Sequence, residues 1–149
     1  MMTRNQIDLA GQNGIVTGGA AGLGYAIAER LIESGARIAI WDVNQKALDA
    51  AVETLSKIKG KDSVIGVVGD ISDAKSVDTA VAATVKAFGS IDIAVNNAGI
   101  SGPNVPTWEY PIEDWRKVVD INLTGTFLVC CAILPAMRAK SYGRIVHVA

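Results

Sequence analysis

The stretch Gly14-Ile15-Val16-Thr17-Gly18-Gly19-Ala20-Ala21-Gly22-Leu23-Gly24 decides the fold. Its first four residues form a short apolar run that predicts a buried strand, and Leu23 begins a run with helical spacing. The turn between them has the glycine spacing Gly-x-x-x-Gly-x-Gly and brings backbone N–H groups to the positive end of a helix dipole. Such a turn favours a pyrophosphate. Taken alone, it is also compatible with a merely tight connection, in which glycines avoid steric conflict.

Short apolar runs alternate with segments of helical period along the chain. The strand candidates are Gly14–Thr17, Arg37–Trp41, Val64–Val68, Ile91–Val95 and Arg144–Val148. Spacings of three and four predict helices between them, with inner faces that include Leu23, Ile27, Leu31, Leu48, Val52, Leu55, Val77, Val81 and Val85. A last helix is expected from Glu113 to about Arg138, with Trp115 on its inner face. This alternation predicts an α/β fold, a doubly wound parallel sheet of about five strands with helices on both faces.

Composition narrows the functional classes. The 149 residues carry 14 Lys+Arg against 15 Asp+Glu, without the basic excess that nucleic-acid binding requires. Met1 to Leu9 is polar and predicts no signal peptide, and the apolar run Phe127–Met137 is too short for a membrane helix. Cys130 and Cys131 are expected to be two small core residues, and no metal site is predicted. We expect a cytoplasmic protein.

An acidic residue follows the second predicted strand. Asp42 lies 18 residues beyond Gly24, where a carboxylate can accept hydrogen bonds from the ribose hydroxyls of an adenosine. The same carboxylate repels a 2′-phosphate, and neither the glycine turn nor residues 41–45 before Lys46 contain an Arg or Lys. NAD is therefore favoured over NADP. An Asp that simply opens a turn after a strand is the other interpretation.

Polar residues and glycine also follow the third and fourth strands, as Asp70-Ile71 and Asn96-Asn97-Ala98-Gly99. The carboxyl ends of parallel strands meet at one sheet edge, where open α/β folds bind their ligands. In this order the residues resemble the short-chain dehydrogenase/reductase family along the whole chain. The family's Thr-Gly-x-x-x-Gly-x-Gly turn matches Thr17 to Gly24, and its other motifs match the acidic and Asn-Asn-Ala-Gly positions.

The resemblance implies a Rossmann-type domain over residues 1–149 that binds NAD. The implied cofactor contacts are Gly18, Ala20, Ala21, Gly22, Leu23, Gly24, Asp42, Asp70, Ile71, Asn97, Ala98 and Gly99, with Ile100 near the nicotinamide. Asn122 matches the family's active-site asparagine, which holds a water in a proton relay. Because Asn competes with the backbone for hydrogen bonds inside a helix, a capping or kink residue is the other interpretation.

The resemblance stops before the family's catalytic Ser and its Tyr-x-x-x-Lys pair. Tyr25, Tyr110 and Tyr142 are not followed four residues later by a Lys. We therefore expect this chain to be the cofactor-binding part of an enzyme that interconverts a secondary alcohol and a ketone, cut before the catalytic segment. A non-catalytic dinucleotide-binding or regulatory module, and an α/β interaction domain, are the alternatives. The family also implies a homo-oligomer, a tetramer or a dimer.

The segment Ile100 to Pro111 contains three prolines directly after the fourth strand. It is predicted at the ligand-binding edge of the sheet, as part of a site rim or as a surface loop without a function. This loop and the Trp115 region look like those of members that act on sugars, sugar acids or 3-oxoacyl thioesters.

Overall fold

The computed structural model describes residues 7–149; residues 1–6, within the polar stretch expected to lack a signal peptide, lie outside the described part. Five parallel strands form one sheet: β1 (Asn13–Thr17), β2 (Arg37–Asp42), β3 (Val64–Val68), β4 (Ile93–Asn96) and β5 (Arg144–His147). Their order in space is β3-β2-β1-β4-β5. The chain therefore starts in the centre, winds outward to β3 and returns to the other side of β1, as predicted for a doubly wound sheet.

Five α-helical segments connect the strands: α1 (Gly22–Glu33), α2 (Gln45–Lys59), α3 (Ala74–Phe88), α4 (Ile112–Val119) and α5 (Thr126–Ala139). Short 3₁₀ turns occupy Lys61–Ser63 and Thr107–Glu109. The side chains of β1 alternate between two buried clusters, with Ile15 facing one and Val16 the other. Helices α1 and α2 cover the Val16 side, and α3 and α5 cover the Ile15 side.

Helix boundaries follow the capping chemistry of the sequence. Asn44 caps α2 by accepting a hydrogen bond from the Ala47 N–H, at 3.1 Å. Asp73 caps α3 by accepting from the backbone N–H groups of its first turn, as expected for a residue of this type. Gly35 has φ +100°, a conformation that glycine adopts without strain just beyond the end of α1.

The predicted inner faces need correction at several positions. In α1 the buried residues are Gly24, Ala28 and Ile32, one position after those predicted, and Leu23 is 60% exposed. The glycine turn sets this rotation, because Gly24 packs directly on the turn and orients the first turn of the helix. In α3 the buried face likewise passes through Ala80 and Thr84, and Val85 is partly exposed.

The last predicted helix extends from Ile112 to Ala139 and contains a π-helical turn at Asp120–Gly125. The buried residues Gly125, Val129, Ile133 and Met137 follow every fourth position and pack against the sheet. Trp115 is exposed, contrary to the prediction, and so is Cys131, which was expected in the core.

The continuous helix Ile112–Ala139 is long enough and apolar enough to cross a membrane by length and composition alone. The prediction from sequence considered only the apolar run Phe127–Met137, which is shorter than the continuous helix. The buried residues from Gly125 to Met137 lie on one side of this helix and pack against the sheet, as in a helix that covers a sheet.

A buried polar network closes the amino edge of the sheet. Asp92 accepts hydrogen bonds from the Asn13 N–H at 2.9 Å and the Ser90 hydroxyl at 3.1 Å, and pairs closely with the Lys140 ammonium. Burial alone would raise the pKa of Asp92, but these hydrogen bonds and the Lys140 charge outweigh it and hold the pKa below its ordinary value. The network ties β1 and β4 to the end of α5.

We predict that Asp92→Asn lowers the free energy of unfolding by about 1–3 kcal/mol at neutral pH, because three donors lose a charged acceptor. A carboxylate with a lowered pKa stabilises the fold above its unfolded-state pKa and loses that contribution as pH falls through the folded-state value. The difference between wild type and variant, measured by urea unfolding, should therefore shrink below about pH 4.

Glu53→Gln is the control, since Glu53 pairs with Lys57 in an exposed i,i+4 contact on α2. Such surface pairs contribute little to stability, so the free energy of unfolding of this variant should match that of the wild type both at neutral pH and below about pH 4. An equal loss of stability in the two variants, or a difference for Asp92→Asn that does not change with pH, would contradict the assignment.

Candidate functional site: a cavity at the carboxyl edge

A cavity of about 460 Å³ opens where the carboxyl ends of β1, β2, β3 and β4 meet. Its lining includes seven of the predicted residues: Gly18, Asp42, Asp70, Ile71, Ala98, Gly99 and Ile100, the last of which was predicted near the nicotinamide. The sequence did not single out Trp41, Val43, Gly69, Lys117 and Ile121, which also line it. Trp41, Val43 and Gly69 are chain neighbours of predicted residues, and this adjacency was the one signal by which the sequence could have indicated them. Lys117 and Ile121 come from α4 and the π-helical turn, across the cavity.

The β1–α1 turn ends in an open helix N-terminus. Gly18 and Gly22 have φ +62° and +54°, in the left-handed region that favours glycine. Ala21 precedes α1 without a side-chain cap, whereas Asn44 and Asp73 cap α2 and α3, and the first turn of α1 carries no acidic residue. Apart from Gly22, its chain neighbours and the first turn of α1, no described atom lies within 4 Å of the place that a Gly22 Cβ would occupy. Free N–H groups, the helix dipole and open space together suit an anion.

Close packing fixes the other two glycines of the motif. A Cβ on Gly24 would collide with the Gly18 carbonyl and the Asn97 amide, and one on Gly18 would lie 3.0 Å from the Cα of Ala98. The helix therefore approaches the turn as closely as backbone contact allows. Five predicted residues lie beside the cavity and do not line it: Ala20 and Ala21 in the turn, and Gly22, Leu23 and Gly24 at the start of α1.

The Thr17 hydroxyl joins the carboxyl ends of β1 and β4. Its Oγ1 accepts hydrogen bonds from the backbone N–H groups of Asn97 and Ala98, both at 3.0 Å, and donates to the Val95 carbonyl at 3.5 Å. The Asn97 side chain donates to the carbonyls of Thr17, at 3.0 Å, and Gly18, at 3.3 Å. Asn97 thus fixes the turn from behind and does not line the cavity.

Two carboxylates stand on the β2 and β3 side of the cavity. Asp42 accepts hydrogen bonds from the backbone N–H groups of Ala20, at 3.4 Å, and Asn44, at 3.1 Å. Asp70 accepts from the N–H and the hydroxyl of Ser72, at 2.9 and 2.6 Å. Each carboxylate is oriented by its neighbours and faces the cavity, so each can accept further hydrogen bonds from a bound molecule.

Asn122 lies in the π-helical turn and contacts the loop after β4. Its Oδ1 accepts from the Ile100 N–H at 2.9 Å, and its Nδ2 donates to the Ile100 carbonyl at 3.0 Å. The Thr126 hydroxyl donates to the Asn122 carbonyl at 2.9 Å. A π turn places an extra residue in the helix and often marks a functional position. The side chain thereby holds the residue predicted to lie near the nicotinamide, and its part in a proton relay stays a prediction.

A second polar group lies behind the site, between the sheet and α5. The Asn96 Nδ2 is 3.2 Å from the His147 Nδ1 and donates to the Cys130 Sγ at 3.6 Å. Burial raises the pKa of the Cys130 thiol above its ordinary value, against the smaller lowering effect of the Asn96 hydrogen bond. These residues connect β4, β5 and α5 beneath the cavity.

An open α/β sheet with a cavity at its topological switch point defines the class of nucleotide-binding α/β proteins. Within that class the chain belongs to the short chain dehydrogenase family, whose sequence pattern matches residues 12–149.

The chain is similar to several characterised proteins of this family. It is 42% identical over 140 residues to a 2-dehydro-3-deoxy-L-rhamnonate dehydrogenase (NAD(+)) from Sphingomonas sp. (strain SKA58), covering 94% of this chain and 54% of that protein. It is 40% identical over 143 residues to a 2,5-dichloro-2,5-cyclohexadiene-1,4-diol dehydrogenase from Sphingobium indicum, covering 95% and 55%. The structure of NAD+-bound xylitol dehydrogenase matches with a TM-score of 0.90 and 36% identity, covering 94% and 53%. The chain thus spans about half the length of these proteins.

We predict that Thr17→Val destabilises the fold by about 1–3 kcal/mol, because the buried N–H groups of Asn97 and Ala98 lose their acceptor. Thr17→Ser keeps the hydroxyl and should recover most of that loss. Chemical unfolding measures both variants. Unchanged stability in Thr17→Val, or a loss in Thr17→Ser as large as that in Thr17→Val, would contradict the role assigned to the hydroxyl.

Proposed function

We propose that residues 1–149 form the dinucleotide-binding part of an NAD-dependent oxidoreductase that interconverts a secondary alcohol and a ketone. The observation that carries this proposal is the cavity at the carboxyl edge, because an oriented carboxylate on β2 lines it and the uncapped N-terminus of α1 lies beside it. Those two features suit the two ends of an adenosine diphosphate group, its ribose and its phosphates.

Each part of the cavity has a counterpart in the dinucleotide. The N–H groups around Gly22 would hold the pyrophosphate, and Asp42 would accept from the ribose hydroxyls. Asp70 and the neighbouring Ile71 would bind the adenine. Ala98 and Gly99 would line the path toward the nicotinamide, with Leu23 at the exposed start of α1. When bound, NAD supplies the acceptor for the hydride that leaves the alcohol carbon.

The preference for NAD rests on charge. In a bound dinucleotide, Asp42 would lie beside the adenosine ribose, and its negative charge would repel a 2′-phosphate at close range. In the described part of the chain, residues 7–149, Lys117 is the one cation that lines the cavity, and it belongs to α4, whereas Asp42 ends β2. A lysine on the opposite element does not replace the carboxylate beside the ribose.

We propose that Asn122 is a positioning residue for the reaction. Its two hydrogen bonds fix Ile100 at the end of the cavity where the nicotinamide would lie. A water on its amide would place the side chain in the proton relay that the family resemblance implies. For the whole protein we infer a small alcohol or ketone as substrate, a cytoplasmic setting and a homo-oligomer.

A fluorescence titration of the 149-residue chain with NADH tests the proposal. We expect saturable enhancement of NADH emission, reversed by excess NAD, since the nicotinamide would leave water for the cavity. Gly22→Asp is the matched loss-of-binding variant, because its carboxylate would enter the space assigned to the pyrophosphate. Absence of saturable binding by the wild type would exclude the proposed function.

We predict that Asp42→Ala weakens NAD binding by about tenfold or more and NADP binding much less, because only NAD has a free adenosine 2′-hydroxyl to donate to that carboxylate. Competition against NADH measures both affinities. Asp49→Ala, on the exposed side of α2, should leave both affinities unchanged. An unchanged NAD to NADP preference in Asp42→Ala would contradict the assigned role.

We predict that the apolar outer face of the last helix pairs with a second copy of the chain. Leu123, Phe127 and Leu134 lie exposed along this face, with Phe127 62% exposed. Burying such a stripe is favourable by the hydrophobic effect. The average mass from analytical ultracentrifugation should rise with concentration for the wild type and stay monomeric for Phe127→Glu. Val85→Glu, on α3, is the control and should still associate; loss of association in both variants would count against this face.

A further inference from the structure

A second cavity, of about 580 Å³, lies beside the first. Both cavities are lined by the loop after β4 and by α4, and on each of these elements two consecutive residues line different cavities. Ile100 lines the cofactor cavity and Ser101 the second one, and Lys117 and Val118 divide in the same way on α4. The second cavity therefore begins one residue beyond the proposed nicotinamide end of the cofactor site.

The loop that forms its wall is held in a defined shape. Asn122 fixes the start of the loop through both backbone groups of Ile100. Gly102 has φ +68°, and a Cβ there would collide with the Tyr110 hydroxyl and lie 3.0 Å from the Val118 side chain. The loop backbone thus packs directly against Tyr110 and α4, which keeps the cavity formed in the absence of a ligand.

The lining of this cavity is aromatic and aliphatic with a few hydroxyls. The rings of Tyr110 and Trp115 meet edge to face, with centroids 6.5 Å apart and planes at 85°. Trp115 is 57% exposed, so much of its ring surface is available to a ligand. Val105 and Ile112 add apolar surface, and Ser101, Thr107 and Tyr110 add hydroxyls. Within residues 7–149, no charged side chain lines the cavity.

We propose that this second cavity receives the substrate and selects a neutral ring compound that bears a secondary hydroxyl or a ketone. The inference rests on the proposed function, because it places the substrate at the nicotinamide end of the cofactor site. A ring presents a flat C–H face to Trp115, and its oxygen can reach the hydroxyls of Ser101 or Thr107.

The same lining disfavours two other kinds of alcohol. A sugar acid would bring a carboxylate into a cavity without a lining cation, and an unpaired charge is costly to remove from water. An open-chain polyol carries a hydroxyl on every carbon and has little apolar surface to place on the aromatic rings. Selectivity for a neutral ring thus follows from the charge and shape of the lining.

The test uses the 149-residue chain saturated with NAD and three probes: cyclohexane-1,2-diol, xylitol and gluconate. The indole N–H signal of Trp115 in NMR spectra, assigned from Trp115→Phe, reports on the cavity. We expect a saturable shift with the diol, a weaker response to xylitol and none to gluconate. Trp115→Ala should weaken diol binding by about tenfold, whereas Trp115→Phe should retain most of the affinity. In both variants, diol binding is followed through the NMR signals of the other residues that line the cavity.

Trp108→Ala is the matched control, because Trp108 lies in the loop that forms the cavity wall, is 85% exposed and does not itself line the cavity. This variant should bind the diol as the wild type does. NADH binding, measured on every variant, distinguishes the two proposals. Normal NADH binding without a diol-induced shift, tighter binding of gluconate than of the diol, or equal losses in Trp108→Ala and Trp115→Ala would overturn the substrate assignment alone. Failure of the wild type to bind NADH would overturn both proposals.

Discussion

The hydroxyl of Thr17 is the point on which the candidate site depends. It accepts two backbone N–H groups from the segment after β4 and donates to the Val95 carbonyl, so it is fully engaged in joining the two central strands. The Asn97 amide continues this connection to the Gly18 carbonyl. Because β1 and β4 end together, the glycine turn and the loop after β4 face each other across one cavity. The opposite edge of the sheet is closed by the Asp92 and Lys140 pair.

The strands and their order could be predicted, because buried parallel strands are short continuous apolar runs bounded by glycine and polar residues. The rotation of the helices was less accessible. Leu23 and Trp115 were expected to face inward, but the contact of Gly24 with the turn rotates α1, and Trp115 belongs to a helix start that packs against a loop. The π-helical turn at Asp120–Gly125 also escaped prediction, since its stabilising partner, Ile100, is distant in sequence.

The polar part of the candidate site was accessible from sequence, because Asp42 and Asp70 directly follow strands and parallel strands end at a common edge. The cavity confirms that these positions lie together. Asn97 was expected to contact the cofactor, and the structure places it behind the turn. Lys117 could not be predicted, because a surface lysine on a helix carries no periodic signal that distinguishes a cavity wall from a solvated face.

The central claim is that the carboxyl edge of this sheet binds NAD, and backbone amide NMR with stepwise addition of NAD tests it most directly. The account predicts saturable shifts for Gly18, Val43, Ile71 and Ala98, around the cavity, and no shift for Asp92 at the opposite edge. Saturable shifts centred on the Asp92 edge would contradict it. An absence of saturable shifts throughout the addition of NAD would also contradict it.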